Sequence, residues 1–426
     1  MRRIWISIIF LFLFMTLHQA DKYLISPLTS LIMKEFNISH TEMGAVFTLA
    51  IIVSAVFFIV WGYLYDRYSR RLLITVAGLI WGVTTWFSAI VRTFQQFMVA
   101  RSFTGVDDAS DSGIYSLVSD YIPPKSRGRI IGLLSTSAAI GTIFGTIAGY
   151  YIGYNMGWRT AFIITGTLGI VIAILVYLIV METPRGSAEP ELAGLLREDI
   201  YKFNKDVALN LLKRRSMFLL GLQGFFGVFP WQVITFWFFK YLVDERKFTP
   251  ETATFTMILL LIFLTFGNIL GGVIGDYLFK KYIRGRIVFS TIIAYLSALL
   301  IYLILIIPFS EVNLFIAGSA ITALIIPMAG PNVSATVFDI AEPEVKTTAR
   351  GILRIFENSG SALAPFMAGI LADMYSLHYA IALICTVTWT LCGIFFTILS
   401  IVVKDDILRL RRKMAERAEE LKKRVK

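Results

Sequence analysis

The sequence predicts an all-α membrane protein with twelve transmembrane helices arranged as two six-helix bundles. Three observations lead there: the balance of apolar and charged residues, the lengths of the apolar runs, and the side on which the basic residues fall. Of 426 residues, 57% are hydrophobic and 16% are charged, and the mean hydropathy is +0.72. A water-soluble globule of this composition would expose far more apolar surface than water tolerates, so lipid is the expected solvent.

A membrane helix needs about 20 mostly apolar residues. Twelve such runs are present, at roughly 4–27, 42–64, 72–92, 96–121, 129–152, 159–181, 217–242, 251–275, 287–308, 312–338, 349–374 and 377–402. The formal charge of +11 raises the question of a nucleic-acid partner, but the basic residues gather in alternate connections. These hold Arg67, Arg70 and Arg71, then Lys125, Arg127 and Arg129, then the 182–216 loop, then Lys280 to Arg286, then Lys346 to Arg354. The opposite connections carry few, chiefly Lys34, Arg92, Arg159, Arg246 and Lys247. By the positive-inside rule both termini are cytoplasmic, which requires an even number of spans. The expected setting is a monomer in the plasma (cytoplasmic) membrane, among membrane lipids and without nucleic acid.

The run after Met1-Arg2-Arg3 could pass for a secretory signal. His18-Gln19-Ala20 lacks the small-x-small cleavage pattern, however, and its removal would spoil the even count, so it is read as the first span. Cys385 and Cys392 lie inside one apolar span. Two buried cysteines make neither a disulfide framework nor a four-ligand metal site, and no cofactor or metal is expected.

The longest polar connection, from about Glu182 to Ser216, divides the spans six and six. The expected units are therefore a first bundle at 1–182, a linker at 183–216, a second bundle at 217–403 and a basic tail at 404–426, the tail lying along the inner membrane surface. The halves share landmarks. Span two ends in Gly62-Tyr63-Leu64-Tyr65-Asp66-Arg67-Tyr68-Ser69-Arg70-Arg71, and span eight ends in Gly271-Gly272-Val273-Ile274-Gly275-Asp276-Tyr277 followed by Lys280 and Lys281. Pro124-Lys125-Ser126-Arg127-Gly128 after span four is matched by Pro343 through Ala349-Arg350-Gly351 after span ten. A glycine-rich span follows each, with Gly141, Gly145 and Gly149 in one and Gly360, Pro365 and Gly369 in the other. Glycines at that spacing inside an apolar span indicate close helix packing rather than a nucleotide cradle.

This arrangement resembles the major facilitator superfamily over about residues 4–402, with Gly-x-x-x-Asp-Arg-x-x-Arg-Arg as the hallmark loop. The resemblance implies two pseudo-symmetric bundles, secondary active transport by alternating access, and a cavity lined by spans one, four, seven and ten. Physical chemistry suggests what the hallmark does. Gly62 would let another helix approach, Asp66 would lie against a helix N-terminus, and Arg67, Arg70 or Arg71 would pair with a carboxylate. Together with Asp276, Arg127 and Arg350 these residues form an expected cytoplasmic gate; the alternative is that the arginines only set topology.

Ionisable residues within a span cost about 2.5–3.5 kcal/mol on insertion scales, so they should face a cavity or a partner. Span four holds Arg101, Asp107, Asp108 and Asp111, and span one holds Asp21 and Lys22 after His18 and Gln19. On a continuous helix at about 100° per residue, Asp108 lies about 20° from Arg101 and shares a stripe with Tyr115. Closely spaced carboxylates in a low dielectric suit proton binding. Asp21, Asp108, Asp111 and Asp107 are therefore the expected proton-coupling residues, with H⁺, or else Na⁺, as the coupling ion. Arg101 is expected to pair with Asp108 or to hold an anionic group, and a permanent structural ion-pair network is the alternative.

Within the superfamily the likeness extends to the Spinster-type lipid transporters. Arg101-Ser102-Phe103-Thr104-Gly105-Val106-Asp107-Asp108-Ala109-Ser110 stands where that family has Arg-x-x-x-Gly-Val-Gly-Glu-Ala-Ser. The resemblance places Asp108 on the family's functional glutamate and Arg101 on its arginine. Asp21-Lys22 stands where the family has Asp-Arg, and Pro184-Arg185-Gly186 on its Pro-Arg-Gly segment. Asp107 replacing a glycine, Asp111 adding a charge and Lys22 replacing an arginine are departures. Organic-anion symporters of the superfamily share the Asp-Arg start. From the cavity-lining spans the expected substrate contacts are Arg101, Tyr115, Gln223, Gln232 and Asn332, and Pro327 and Pro331 should kink span ten.

No nucleophile–base set, metal-ligand spacing or phosphate loop is present, so no enzyme is expected, and no continuous polar stripe suggests a channel. The sequence points to a proton-coupled secondary transporter of an amphipathic or anionic small molecule such as a lysolipid. A drug/proton antiporter for lipophilic cations and an organic-anion symporter are the alternatives.

Overall fold

The computed structural model describes residues 2–108, 111–122, 124–183, 214–342 and 346–425, with their side chains except at 2, 59, 66, 124–129, 346–348 and 417–425. Among these residues the chain is helical. The α-helices are α1 (Arg2–Phe36), α2 (His40–Arg67), α3 (Arg70–Ile90), α4 (Phe94–Phe103), α5 (Asp111–Tyr121), α6 (Pro124–Met156) and α7 (Trp158–Ile179). They continue as α8 (Arg215–Lys240), α9 (Pro250–Lys281), α10 (Gly285–Leu305), α11 (Val312–Ile325), α12 (Gly330–Ile340), α13 (Lys346–Met374) and α14 (Leu377–Val425). Two 3-10 turns, Thr104–Val106 and Ile326–Ala329, split spans four and ten, so these fourteen helices make the twelve expected spans. Residues 184–213 of the linker, including Pro184-Arg185-Gly186, lie outside the described residues.

Among the described residues ten helical stretches are long and apolar enough to cross a membrane. The other two spans are four and eleven. Their hydropathy is low because one holds Arg101 and four aspartates and the other holds Arg350, Arg354 and Glu357, which marks them as helices whose polar faces need shielding from lipid.

Local sequence explains the breaks. Ser39 and Glu42 form a capping box that starts α2, and Thr93 and Gln96 form another that starts α4. Each box satisfies backbone N–H groups that the first turn leaves open. Pro327, lacking an N–H, lies in the turn that interrupts span ten.

By contacts the described chain forms two compact units. The first takes Met1–Glu198 with Ile234–Ile258 and Pro365–Leu377, and the second takes Asp199–Val233, Leu259–Ala364 and His378–Lys426. These units cut across the six-and-six division of the sequence, because parts of α8, α9 and α13 pack with first-half helices. Phe236 stacks on Phe47 with centroids 4.2 Å apart. Trp237 Nε1 donates to Pro365 O at 3.1 Å, and Asp373 accepts from the N–H groups of His40 and Thr41 at 2.9 and 2.7 Å.

In the first unit Ile8, Leu11, Phe14, Trp81, Ile114, Leu117 and Val176 belong to one buried cluster. The glycine stripe of α6 sets the position of α1. A Cβ at Gly141, Gly145 or Gly149 would meet Thr16 O at 2.4 Å, Ala20 O at 2.1 Å or Pro27 Cγ at 2.5 Å. Only glycine at those three positions lets the two backbones come this close, and the contact fixes which residues of α1 face away from α6.

In the second unit Leu220, Ile287, Val337, Leu353 and Phe396 share a cluster with Ile407. The expected tail begins as an uninterrupted continuation of α14. Ile407 is part of this core, and Lys413 Nζ reaches Glu342 Oε1 at 3.2 Å. The start of the tail is therefore a helix packed on the second unit.

Candidate functional site

Three acid–base pairs join α1 to span four. His18 Nε2 lies 2.5 Å from Asp107 Oδ2, Lys22 Nζ lies 2.8 Å from Asp108 Oδ2, and Arg101 Nη1 lies 3.9 Å from Asp21 Oδ2. Residues 18, 21 and 22 share one face of α1 because they are three and four apart. Asp21 is further held by hydroxyl donation from Thr85 at 3.0 Å and Thr165 at 2.6 Å. The Arg101 guanidinium lies 5.1 Å over the Phe162 ring.

The break in span four makes this pairing possible. A Cβ at Gly105 would come within 2.2 Å of Ala50 O, so the backbone of the 3-10 turn rests directly on α2. Trp61 Nε1 donates to Val106 O at the same turn. The helix does not continue through Asp107 and Asp108, and this corrects the pairing expected from a continuous helical wheel. Arg101 pairs with Asp21 and not with Asp108, whose partner is Lys22.

A pocket of about 50 Å³ is lined by His18, Asp21, Lys22, Arg101, Asp107 and Asp108 together with Trp81, Phe47 and Phe236. That is room for one or two waters or the end of a polar ligand. The ion pairs are nearly closed to the surroundings except at Lys22, whose side chain is 44% exposed. Asp111 starts α5, beyond the turn.

Other expected substrate residues are placed elsewhere. Tyr115 packs against the first unit's apolar cluster. Gln223 is buried and donates to Leu220 O at 2.8 Å. Asn332 is buried, with Nδ2 donating to Gly271 O at 3.0 Å and Met328 O at 2.9 Å, and so ties α9 to α12. These two amides bond backbone inside the second unit, whereas Gln232 is half-buried on α8.

The hallmark loop contains an ion-pair centre, though not the one its glycine suggested. Gly62 is exposed, and a Cβ there meets nothing within 4 Å, so it provides no close approach in this conformation. The side chains of Asp66 and Arg127 lie outside those described. Arg67 is exposed over Tyr63, and Arg71 lies 5.3 Å over the Tyr177 ring. Arg70 is the buried member: it pairs with Asp120, reaches Glu182 at 3.4 Å and donates to Thr183 O at 2.6 Å. The second half repeats this arrangement. Arg286 at the start of α10 pairs with Asp339 at the end of span ten and with Asp276 at 2.6 Å. Arg350 pairs with Glu357 at 3.0 Å.

Two carboxylates outside the spans hold ion pairs, Glu182 in the Arg70 centre and Glu342 with Arg214 at 2.5 Å and Lys413 at 3.2 Å. Burial pushes the Glu182 carboxyl up, but donation from Ser69, the Arg71 N–H and Arg70 outweighs it and holds the group below its ordinary range. Glu342 behaves alike: burial is outweighed by its own backbone and by Arg214 and Lys413.

Sequence reasoning left out His18, Thr85, Thr165, Asp120 and Glu182 as site residues. A signal existed for His18, which precedes Lys22 by one turn of an otherwise apolar helix.

Comparison with known proteins gives this geometry a context. The chain is 25% identical over 375 residues to a hexuronate transporter of Bacillus subtilis (strain 168), covering 86% of this chain and 87% of the relative. It is 27% identical over 250 residues to protein spinster homolog 1 of Xenopus laevis, a match covering 58% of this chain and 47% of that protein. The chain therefore spans about half the length of that relative. A solved bacterial homolog of the human lysosomal transporter Spinster, in an inward-facing and occupied conformation, superposes with a TM-score of 0.79 at 17% identity, covering 94% of this chain and 97% of the other. The family model of the Major Facilitator Superfamily matches residues 11–307, well over half of the chain, and the chain belongs to that superfamily of multi-pass membrane transporters and not to a class of enzymes.

Proposed function

We propose that this secondary transporter is a proton-coupled carrier of small organic anions, working by alternating access in the plasma (cytoplasmic) membrane with both termini inside. The carrying observation is the Lys22–Asp108 pair, a partly exposed cation held by a largely covered carboxylate. Protonation of Asp108 neutralises its hold and frees Lys22 to receive a substrate carboxylate. A proton and a monoanion then travel together without net charge, which avoids the cost of moving an ion through a low dielectric. Arg101, buried beside Asp21, supplies a second positive field toward the same pocket.

The cargoes for which relatives are named support the anion class: hexuronate, cis,cis-muconate and D-galactonate. The Spinster likeness and the apolar lining by Ile25, Val46, Phe47, Ile51 and Phe236 support a second reading, a lysolipid held by its phosphate. A lipophilic cation would have to displace Lys22 and Arg101 from their carboxylates, which argues against drug/proton exchange.

The test is uptake into proteoliposomes of labelled glucuronate, galactonate, a lysophospholipid and a lipophilic cation, under an imposed pH gradient or a Na⁺ gradient alone. The expected result is accumulation of a sugar acid driven by acid outside. Uptake driven only by Na⁺, or confined to the cation, would contradict the proposal.

A further inference from the structure

The mechanism proposed above uses Lys22 and Asp108 and leaves a second acid–base pair on the same two spans without a task. His18 precedes Lys22 by one turn of α1, and Asp107 directly precedes Asp108. Two adjacent carboxylates thus meet two basic groups stacked along one helix. The imidazole is held on its other sides by rings: it lies edge-on to Trp81 at 5.2 Å and stacked with Phe14 at 6.3 Å. Both members of the pair are buried, His18 at 7% and Asp107 at 1% side-chain exposure.

The pair also borders the pocket. Among the described residues Trp81 Nε1, Arg101 Nη1 and Asp107 Oδ1 are buried without a hydrogen-bond partner. All three residues line the same pocket of about 50 Å³. Two donors and an acceptor around such a volume form a site for water or a hydroxyl group, so Asp107 has one oxygen on His18 and the other available to a proton-carrying chain. The charged and titratable groups facing this region are Asp21, Lys22 and Tyr23 on α1, Arg101 on α4, Asp107 and Asp108 at the turn, Asp111 on α5 and Tyr65 on α2.

We propose that His18 is a positioning residue for the proton step: through Asp107 it sets the pH at which Asp108 takes its proton and releases Lys22. With His18 protonated, Asp107 is neutralised and Asp108 stays ionised on Lys22. When His18 gives up its proton, Asp107 stands as an unbalanced carboxylate beside Asp108, and like charge in a low dielectric drives a proton onto the aspartate pair. The proton leaves imidazole nitrogen and arrives on carboxylate oxygen, directly or through water, with no other bond made or broken.

The proposal rests on the proton-coupled reading, and one experiment separates them. The pH dependence of labelled glucuronate uptake is measured in proteoliposomes for wild type, H18N, D107N and the H18N/D107N double variant. H18N leaves two carboxylates without their imidazolium, so its midpoint should rise by about one pH unit or more. D107N removes the like charge beside Asp108, so its midpoint should fall, and the double variant should return to near the wild-type value. A solely structural role predicts lower rates with unmoved midpoints, and that result, or shifts of H18N and D107N in the same direction, overturns the proposal. If H18N does not reach the membrane, D107N against the double variant decides, since equal midpoints contradict the assignment. Wild-type uptake indifferent to pH would instead overturn the proton-coupled reading itself.

Discussion

Lys22 and Asp108 meet at 2.8 Å with unequal exposure, 44% for the lysine side chain and 16% for the aspartate. In the proposed carrier the partner that a substrate anion reaches is the cation, and the partner that holds it back is a carboxylate which one proton neutralises. Lys22→Ala should raise KM for glucuronate by about tenfold or more, because a charge-assisted contact contributes about 1.5–3 kcal/mol. Lys22→Arg should recover most of that loss. Concentration-dependent uptake in proteoliposomes checks both.

Asp21 holds Arg101 and two threonine hydroxyls in a buried setting. Asp21→Asn leaves a buried guanidinium without its counter-charge and should destabilise the fold by about 3–5 kcal/mol. Thr165→Val removes one hydrogen bond and should cost about 1–3 kcal/mol. Thermal unfolding in detergent should rank wild type above Thr165→Val and Thr165→Val above Asp21→Asn.

Two glycines of α6 give a contrast within one helix. A side chain at Gly145 would strike Ala20 O, whereas at Gly132 it meets nothing within 4 Å. Gly145→Leu should displace α1, costing about 1–3 kcal/mol or more by overpacking, and Gly132→Leu should leave the melting temperature unchanged. Equal effects of the two would refute the account of how α1 is positioned.

Glu182 binds Ser69, the Arg71 N–H and Arg70, and its carboxyl is held below the ordinary range after burial is overcome. A group whose folded pKa is depressed adds stability above its unfolded value, about 4.3, and loses it as pH falls through the folded value. Acidification below about pH 4.3 should therefore lower the wild-type melting temperature. Glu182→Gln should melt lower at neutral pH and show a shallower acid dependence.

Much of the fold was legible because its signals are local and repeated. Apolar length gives the spans, alternating basic connections give their orientation, and the Gly141–Gly145–Gly149 stripe marks a helix face that another backbone can touch. The site was only partly legible. Arg101, Asp107, Asp108 and Asp21 are prominent as charges in apolar spans, but a helical wheel assumes an unbroken helix, and span four breaks at Thr104–Val106 where Gly105 rests on α2. The wheel's pairing of Arg101 with Asp108 is therefore replaced by Arg101–Asp21 and Lys22–Asp108. Gln223 and Asn332 show the opposite limit: an amide in an apolar span reads as a cavity residue, yet each bonds a nearby carbonyl within the protein. The partner of Arg70 was hidden because Asp120 and Glu182 sit 50 and 112 residues away in sequence.

The central claim is that substrate and proton share one step through Asp108. The direct measurement traps a pH-sensitive dye inside proteoliposomes and records internal acidification when glucuronate is added outside, with no imposed gradient. The account predicts acidification in proportion to glucuronate uptake for the wild type. For Asp108→Asn it predicts none, with glucuronate exchange across the membrane retained. Uptake by the wild type without proton entry, or undiminished acidification with Asp108→Asn, would contradict it.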